Sequence, residues 1–129
     1  MRRKILIVED QPDIRTLIRM TLDFGDYELH EADNGDNGLL MAQRVQPDLM
    51  LLDVMMPGSL DSLQVCQKLK TDPRYANIRI VLLTARGQKS DIEAGERAGA
   101  NAYLTKPFSP LELLDRIEQL LSETPAATH

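Results

Sequence analysis

The chain has little of several residue types that would point to particular classes of protein. It has one cysteine, Cys66, among 129 residues, which excludes an internal disulfide and fits a reducing compartment. Cys66 lies in a helical pattern, which favours a structural thiol over a reactive one. The 15 Lys and Arg residues are outnumbered by 20 Asp and Glu, and the formal net charge is −5. This balance gives no basic footprint for direct binding of nucleic acid.

Long apolar runs are also missing. After the basic start of the chain, the run Ile5–Val8 lasts only four residues before Glu9 and Asp10. A signal peptide needs about 7–15 apolar residues and a membrane span about 20. We therefore predict a cytoplasmic protein with no targeting segment and no contact with a membrane.

What is present is the composition of one globular domain, with 43% hydrophobic and 27% charged residues. The sequence contains no internal repeat, no low-complexity segment and no long linker. We predict a single domain over residues 1–122 and a flexible tail over 123–129, which is small and polar.

Short apolar runs alternate with segments in which apolar residues recur at helical spacing. The predicted strands are Ile5–Val8, Tyr27–Ala32, the run from Leu49 to Asp53, a strand within 78–84 and Ala102–Thr105, each followed by a helical segment. Such alternation with short connections predicts an α/β fold with a parallel sheet and helices on both faces. We expect a flavodoxin-like, doubly wound (βα)5 domain with strand order 2-1-3-4-5. Locally, Asn34-Gly35 predicts a turn, and Ser109 with Glu112 three residues later predicts a capping box at the last helix.

Polar residues follow four of these predicted strands. Glu9 and Asp10 follow the first, Asp53 ends the third, Thr84 ends the fourth and Lys106 follows the fifth. Charged groups are rarely fully buried without a partner, so we expect Asp53 at the exposed end of its strand. Parallel strands bring their carboxyl ends to one edge of the sheet, where ligands bind in such folds. Each acid by itself is more often a solvated loop residue, and Lys106 could be a surface lysine. Their joint placement favours a site.

Three carboxylates brought together repel one another, and a hard cation with oxygen ligands resolves that conflict. Mg²⁺ is expected, with Mn²⁺ as a substitute, and zinc is disfavoured because no histidine or cysteine lies at these strand ends. A metal, a carboxylate nucleophile, a hydroxyl and an ammonium together are suited to phosphoryl transfer.

With these residues in place, the sequence resembles the receiver domain of bacterial two-component response regulators over about residues 3–122. The matching segments, in chain order, are Glu9-Asp10, Asp53 with Met56-Pro57, Thr84-Ala85 and Tyr103–Phe108. Each segment is weakly specific alone, and all of them in this order at these spacings are highly specific.

The resemblance implies a signalling switch that catalyses only its own phosphorylation and dephosphorylation. Asp53 would accept a phosphoryl group from a sensor histidine kinase or a phosphotransfer protein. Mg²⁺ would be held by Glu9, Asp10, Asp53 and the backbone carbonyl of Met55. Lys106 would contact the phosphoryl group and the Asp53 carboxylate.

The resemblance also implies a conformational change after phosphorylation. Thr84 would turn toward the phosphoryl group, and Tyr103 would rotate inward into the space that Thr84 leaves. Tyr103 also has a plainer interpretation as a half-buried aromatic residue of a strand. The fourth helix is the expected readout face, with the charged residues Asp91, Glu93, Glu96 and Arg97.

One segment departs from the family pattern. The predicted loop Gly58–Ser62 is one residue longer than usual, and Ser62 stands where glycine is usual. A backbone conformation with positive φ is less comfortable for serine than for glycine, so we expect altered loop geometry there.

Two other classes of function fit the sequence less well than the switch. An aspartyl-phosphate phosphatase usually has a second aspartate two residues after the nucleophile, and here Met55, which cannot transfer a proton, holds that position. A flavodoxin-like cofactor binder needs a hydroxyl-rich phosphate loop after the first strand, where Glu9 and Asp10 would repel a phosphate.

The sequence leaves the output open. The chain is expected either to act alone on a partner protein, for example as an intermediate in a phosphorelay, or to belong to a longer regulator with an effector domain downstream.

Overall fold

The computed structural model describes residues 3–23, 25–54, 62–85 and 89–122 as five strands that alternate with five helices. The strands are β1 (Arg3–Val8), β2 (Tyr27–Ala32), β3 (Leu49–Asp53), β4 (Arg79–Ala85) and β5 (Ala102–Lys106). The helices are α1 (Pro12–Leu22), α2 (Gly35–Val45), α3 (Ser62–Lys70), α4 (Lys89–Arg97) and α5 (Pro110–Ser122). The expectations for Met55, for most of the loop before Ser62 and for the tail lie outside the described residues.

The strands form one parallel sheet in the order β2-β1-β3-β4-β5, which confirms the predicted fold class and strand order. In the register, Ile5 of β1 lies beside Leu29 of β2 and Leu49 of β3. Asp53, the last residue of β3, lies beside Leu83 of β4. The order places β1 and β3 next to each other in the middle of the sheet, so their carboxyl ends meet where the strand order reverses.

Each face of the sheet has its own apolar layer because successive residues of a strand point to opposite sides. Ile5 and Ile7 of β1 belong to the layer that includes Ile117 of α5, and Leu6 belongs to the layer that includes Val65 of α3. All five residues of β3 are buried, as expected for a central strand covered on both faces. The acids at the carboxyl ends of β1 and β3 therefore lie next to strands that are buried on both faces of the sheet.

Helix α2 approaches β1 closely near the end of the strand. A Cβ atom added at Gly38 would lie 2.9 Å from Cγ1 of Val8, closer than real Cβ contacts. Glycine at this position lets the helix pack against the last residue of β1. The strand end that leads into Glu9 is thereby held from one face.

Local hydrogen bonds explain where two of the helices begin. The Asn34 side chain accepts a hydrogen bond from Asn37 N at 2.8 Å, so Asn34 caps α2, and Gly35, predicted as part of a turn, is its first residue. At α5, Glu112 N donates to Ser109 Oγ and Ser109 N donates to Glu112 Oε1, both at 3.1 Å. This reciprocal pair confirms the predicted capping box.

None of the described helices is both long enough and apolar enough to cross a membrane.

Candidate metal and phosphoryl site

The structure brings together the acidic residues that the sequence predicts as a site. Glu9, Asp10 and Asp53 each offer a carboxylate oxygen, and these oxygens lie within 4.8 Å of one another. Glu9 and Asp10 follow β1, and Asp53 ends the neighbouring strand β3. The cluster thus forms at the carboxyl edge of the sheet where the strand order reverses.

The ammonium of Lys106 joins this cluster from β5. Its Nζ atom lies 3.0 Å from Oε1 of Glu9 and 3.2 Å from Oδ2 of Asp53. Burial works to lower the pKa of Lys106, but the hydrogen bond to Glu9 and the charge of Asp53 outweigh it, so the pKa is raised and the lysine remains a cation. The ammonium therefore contacts two of the three carboxyl groups of the cluster, and these acids outnumber it.

The pKa of Glu9 is raised in this acidic cluster. Burial and the neighbouring Asp53 raise the pKa of Glu9 to about 7, although Lys106 opposes the rise. Glu9 has no solvent-exposed surface, and Asp53 is only 3% exposed. We expected Asp53 at an exposed strand end. It does end its strand, but the expected exposure is wrong because Lys106 provides the charged partner that permits burial.

The residues present fit a hard divalent cation. Oδ1 of Asp10 is buried and has no hydrogen-bond partner within the described part of the chain. A buried oxygen of this kind usually has a partner, and the neighbouring donors of the cluster are all carboxylate oxygens, the ligands that Mg²⁺ prefers. Met55, the further ligand that the resemblance implies, lies outside the described residues.

Thr84 and Tyr103, the predicted switch residues, differ in their surroundings. Thr84 is fully buried on β4, one residue beyond Leu83, the register partner of Asp53. Its hydroxyl makes no hydrogen bond among the described residues. Tyr103 on β5 is 42% exposed and lines a small cavity of about 90 Å³ with Ile92 of α4.

Two residues that sequence reasoning missed contact the backbone of the site. Nη1 of Arg15 on α1 donates a hydrogen bond to the Glu9 carbonyl at 2.8 Å. The hydroxyl of Ser62 donates to the Asp53 carbonyl. Nothing in the pattern of α1 singles out Arg15, whereas the departure from glycine at Ser62 was a usable signal.

Ser62 also corrects the expectation for the loop. It is the first residue of α3 rather than the last of a loop, and it is buried. The only non-glycine residue with positive φ in the described part of the chain is Gln46, so Ser62 does not take the positive-φ conformation that glycine favours. Its side chain instead links the start of α3 to the end of β3.

Comparison with known proteins identifies relatives along nearly the whole chain. The family model of the response regulator receiver domain matches residues 5–118. The chain is 42% identical over 121 residues to the DNA-binding dual master transcriptional regulator RpaA of Synechocystis sp., which covers 94% of this chain and 50% of that protein. It is 40% identical over 118 residues to the transcriptional regulatory protein ResD of Bacillus subtilis, covering 92% and 48%. The chain spans about half the length of these curated relatives.

Solved structures agree with this relationship. The chemotaxis response regulator CheY4 of Vibrio cholerae has a TM-score of 0.86 at 28% identity, covering 93% of this chain and 99% of that chain. The signal receiver domain of a signal transduction histidine kinase from Syntrophus aciditrophicus has a TM-score of 0.85 at 31% identity, covering 93% and 90%. The chain belongs to the response regulator receiver domain family, the phosphoryl-accepting signalling switches of two-component systems.

Proposed function

We propose that Asp53 accepts a phosphoryl group from the phosphohistidine of a sensor histidine kinase or a phosphotransfer protein, in a reaction that depends on Mg²⁺. The observation that carries this proposal is the environment of Asp53. Its carboxylate ends a buried central strand, lies 3.2 Å from the Lys106 ammonium and groups with Glu9 and Asp10 within 4.8 Å. A nucleophile, a fixed cation and an acidic cluster are the parts that phosphoryl transfer to a carboxylate requires.

Each residue has a role in this proposal. An oxygen of Asp53 attacks phosphorus, and the P–N bond of the donor breaks as the new O–P bond forms. Lys106 contacts the phosphoryl oxygens and keeps the Asp53 carboxylate in place. Glu9, Asp10, Asp53 and, as the resemblance implies, the Met55 carbonyl would hold Mg²⁺, which would offset negative charge on the phosphoryl oxygens. Mn²⁺ suits the same ligands.

The same groups make the domain a switch that acts on itself. Because the chain supplies the nucleophile and the charge-stabilising groups, a small phosphodonor suffices for phosphorylation, and water reverses it. No residue of the cluster is assigned to turnover of a second substrate.

The state of Thr84 and Tyr103 supports a two-state response. The buried Thr84 hydroxyl, which has no hydrogen-bond partner within the described chain, donates to the phosphoryl group once that group is present. Tyr103, now 42% exposed, then rotates inward. The change is read on α4, where Glu93, Glu96 and Arg97 are exposed.

The partner that reads this change is a protein. The relatives are named as transcriptional regulators, but this chain spans about half their length, and its net charge of −5 does not favour DNA. We propose output through a partner protein or an attached effector domain. The cytoplasmic location stays a prediction.

Phosphorylation by acetyl phosphate or phosphoramidate, followed by intact-protein mass spectrometry, tests the proposal. We expect one phosphoryl group per chain with Mg²⁺, none with excess chelator and none in Asp53→Asn. Asp33→Asn is the matched control, because Asp33 is an exposed acid that follows the neighbouring strand β2. Wild-type protein that remains unmodified with Mg²⁺ present would overturn the proposal.

A further inference from the structure

Arg15 of α1 connects the acidic cluster to strand β2. Its Nη1 atom donates to the backbone carbonyl of Glu9 at 2.8 Å, and its Nε atom lies 3.1 Å from Oε1 of Glu31 on β2. The side chains of Arg15 and Glu31 are 24% and 27% exposed, so this ion pair is partly shielded from water. The Arg15 guanidinium therefore links Glu31 on β2 to Glu9 of the acidic cluster.

The carbonyl group that Arg15 binds is part of the peptide unit that joins Glu9 to Asp10. The orientation of this peptide unit determines where the Asp10 side chain leaves the backbone. On the other side, Glu9 N donates to the Ala32 carbonyl of β2 at 3.1 Å. The backbone of Glu9 is therefore held at its amide by the sheet and at its carbonyl by Arg15.

Only a guanidinium makes this bridge as it stands. Its planar fork presents several N–H donors at fixed angles, and here two of its nitrogens serve two acceptors on different elements. Glu31 also balances the charge of Arg15 and fixes the side chain from the opposite end. A lysine has one ammonium on a flexible stem and retains at most part of this geometry.

The neighbouring Arg19 provides a natural comparison. Its Nη1 atom lies 2.6 Å from Oε2 of the same Glu31, and its side chain is 60% exposed. Within the described part of the chain, Arg19 makes no side-chain hydrogen bond to Glu9. The two arginines thus share an ion-pair partner and differ in the contact to the site.

We infer that Arg15 is a positioning residue for the metal site. Arg15 holds the peptide unit between Glu9 and Asp10 so that both carboxylates face the cation, and Glu31 anchors the Arg15 side chain. The inference rests on the proposed function, because it assigns Arg15 a part in holding the proposed Mg²⁺. Residues that orient metal ligands typically contribute 10–100-fold to metal affinity.

Mn²⁺ binding, measured by electron paramagnetic resonance of the free ion, tests this inference without using activity. We expect Arg15→Ala to weaken Mn²⁺ binding by about 10-fold or more, and Arg15→Lys to recover part of that loss. Arg19→Ala is expected to bind Mn²⁺ within about twofold of wild type, since surface ion pairs contribute little. The amide resonance of Asp10 should shift in Arg15→Ala and stay in place in Arg19→Ala.

Phosphorylation kinetics separate positioning from general loss of structure. In Arg15→Ala, the Mg²⁺ concentration for half-maximal rate should rise about 10-fold, while the rate at saturating Mg²⁺ stays near that of wild type. If Arg15→Ala does not fold, Glu31→Gln is the second variant, because it keeps the shape of the side chain and removes the anchoring charge. We expect a smaller rise in the Mg²⁺ concentration for half-maximal rate in Glu31→Gln.

Two results would overturn the inference. One is wild-type Mn²⁺ affinity in Arg15→Ala, or in Glu31→Gln where Arg15→Ala does not fold. The other is an equal loss in Arg19→Ala. Either result leaves the proposed function intact if wild-type protein is still phosphorylated on Asp53. Wild-type protein that binds neither Mn²⁺ nor a phosphoryl group overturns both.

Discussion

Lys106 Nζ lies 3.2 Å from Asp53 Oδ2, although β4 separates the strands that carry the two residues. The lysine side chain reaches past the carboxyl end of β4 and also meets Glu9 at 3.0 Å. A single cation thus compensates two buried acids that come from separate strands. We therefore expect the stability of the site and its proposed chemistry to depend on this lysine.

Replacing Lys106 by methionine should destabilise the protein, and more so at high pH. Glu9 already has a pKa raised to about 7, and Lys106 is the group that opposes the rise. Without it the folded-state pKa of Glu9 rises further, so the folded protein holds a proton that the unfolded chain releases as the pH increases. We expect losses of about 3–5 kcal/mol at pH 8 and less at pH 5.5, measured by urea unfolding.

The matched control for this substitution is Lys68→Met on the exposed face of α3. It should change the free energy of unfolding by less than about 0.5 kcal/mol at either pH. A loss in Lys106→Met that is the same at both pH values would contradict the argument.

Thr84→Val should stabilise the protein in the unphosphorylated state. The Thr84 hydroxyl is fully buried and has no hydrogen-bond partner within the described residues, and such a group costs about 1–3 kcal/mol. Valine keeps the shape and removes the polar group, so the urea midpoint should rise, corresponding to about 1 kcal/mol. The same variant should lose the phosphorylation-dependent change in the Tyr103 environment, seen by NMR.

Thr21→Val is the control for this prediction. Thr21 is also buried, but its Oγ1 donates to the Leu17 carbonyl at 2.8 Å. The same chemical change should therefore lower stability there, by about 1 kcal/mol. Equal losses at both positions would mean that the Thr84 hydroxyl has a partner after all.

Ser62→Ala should lower stability by about 1–2 kcal/mol, because the Asp53 carbonyl loses a buried donor. Ser122→Ala removes an exposed hydroxyl that donates to the Gln119 carbonyl of the same helix, and should change stability by less than about 0.5 kcal/mol. Urea unfolding of the two variants checks the difference. No loss in Ser62→Ala would show that the serine is interchangeable with a smaller residue at the start of α3.

Cys66 should make stability depend on pH in the alkaline range. Burial raises the pKa of its thiol from an ordinary 9.0 to about 11, against the opposing effect of Lys70. Between these values the unfolded chain loses the thiol proton while the folded protein keeps it, so stability falls as the pH rises. The stability of wild type relative to Cys66→Ala should therefore decline above pH 9, by up to about 1.4 kcal/mol per pH unit.

Urea unfolding at pH 7, 9 and 10 measures this decline, and the constant packing cost of Cys66→Ala cancels in the comparison. A stability difference that is independent of pH would mean that the thiol ionises as easily in the folded protein as in the unfolded chain.

The sequence by itself determined the fold and the members of the acidic cluster. Short apolar runs that alternate with helical patterns specify a parallel sheet, and parallel strands bring their carboxyl ends to one edge. The positions of Glu9, Asp53 and Lys106 at the carboxyl ends of predicted strands were therefore enough to predict that they lie together. This holds although Lys106 and Glu9 are 97 residues apart in the sequence. Local rules also predicted the Ser109–Glu112 cap, since its partners are three residues apart.

The tertiary structure alone decided how these groups are held. The bond from Arg15 to the Glu9 carbonyl, the bond from Ser62 to Asp53 and the burial of Asp53 depend on how α1 and α3 pack against the sheet. Helix periodicity predicts which face of α1 is apolar, but it does not determine which backbone carbonyl a long polar side chain on that helix reaches. The types of the side chains determine which chemistry the site can support. Packing between elements that are distant in sequence determines the geometry of the site.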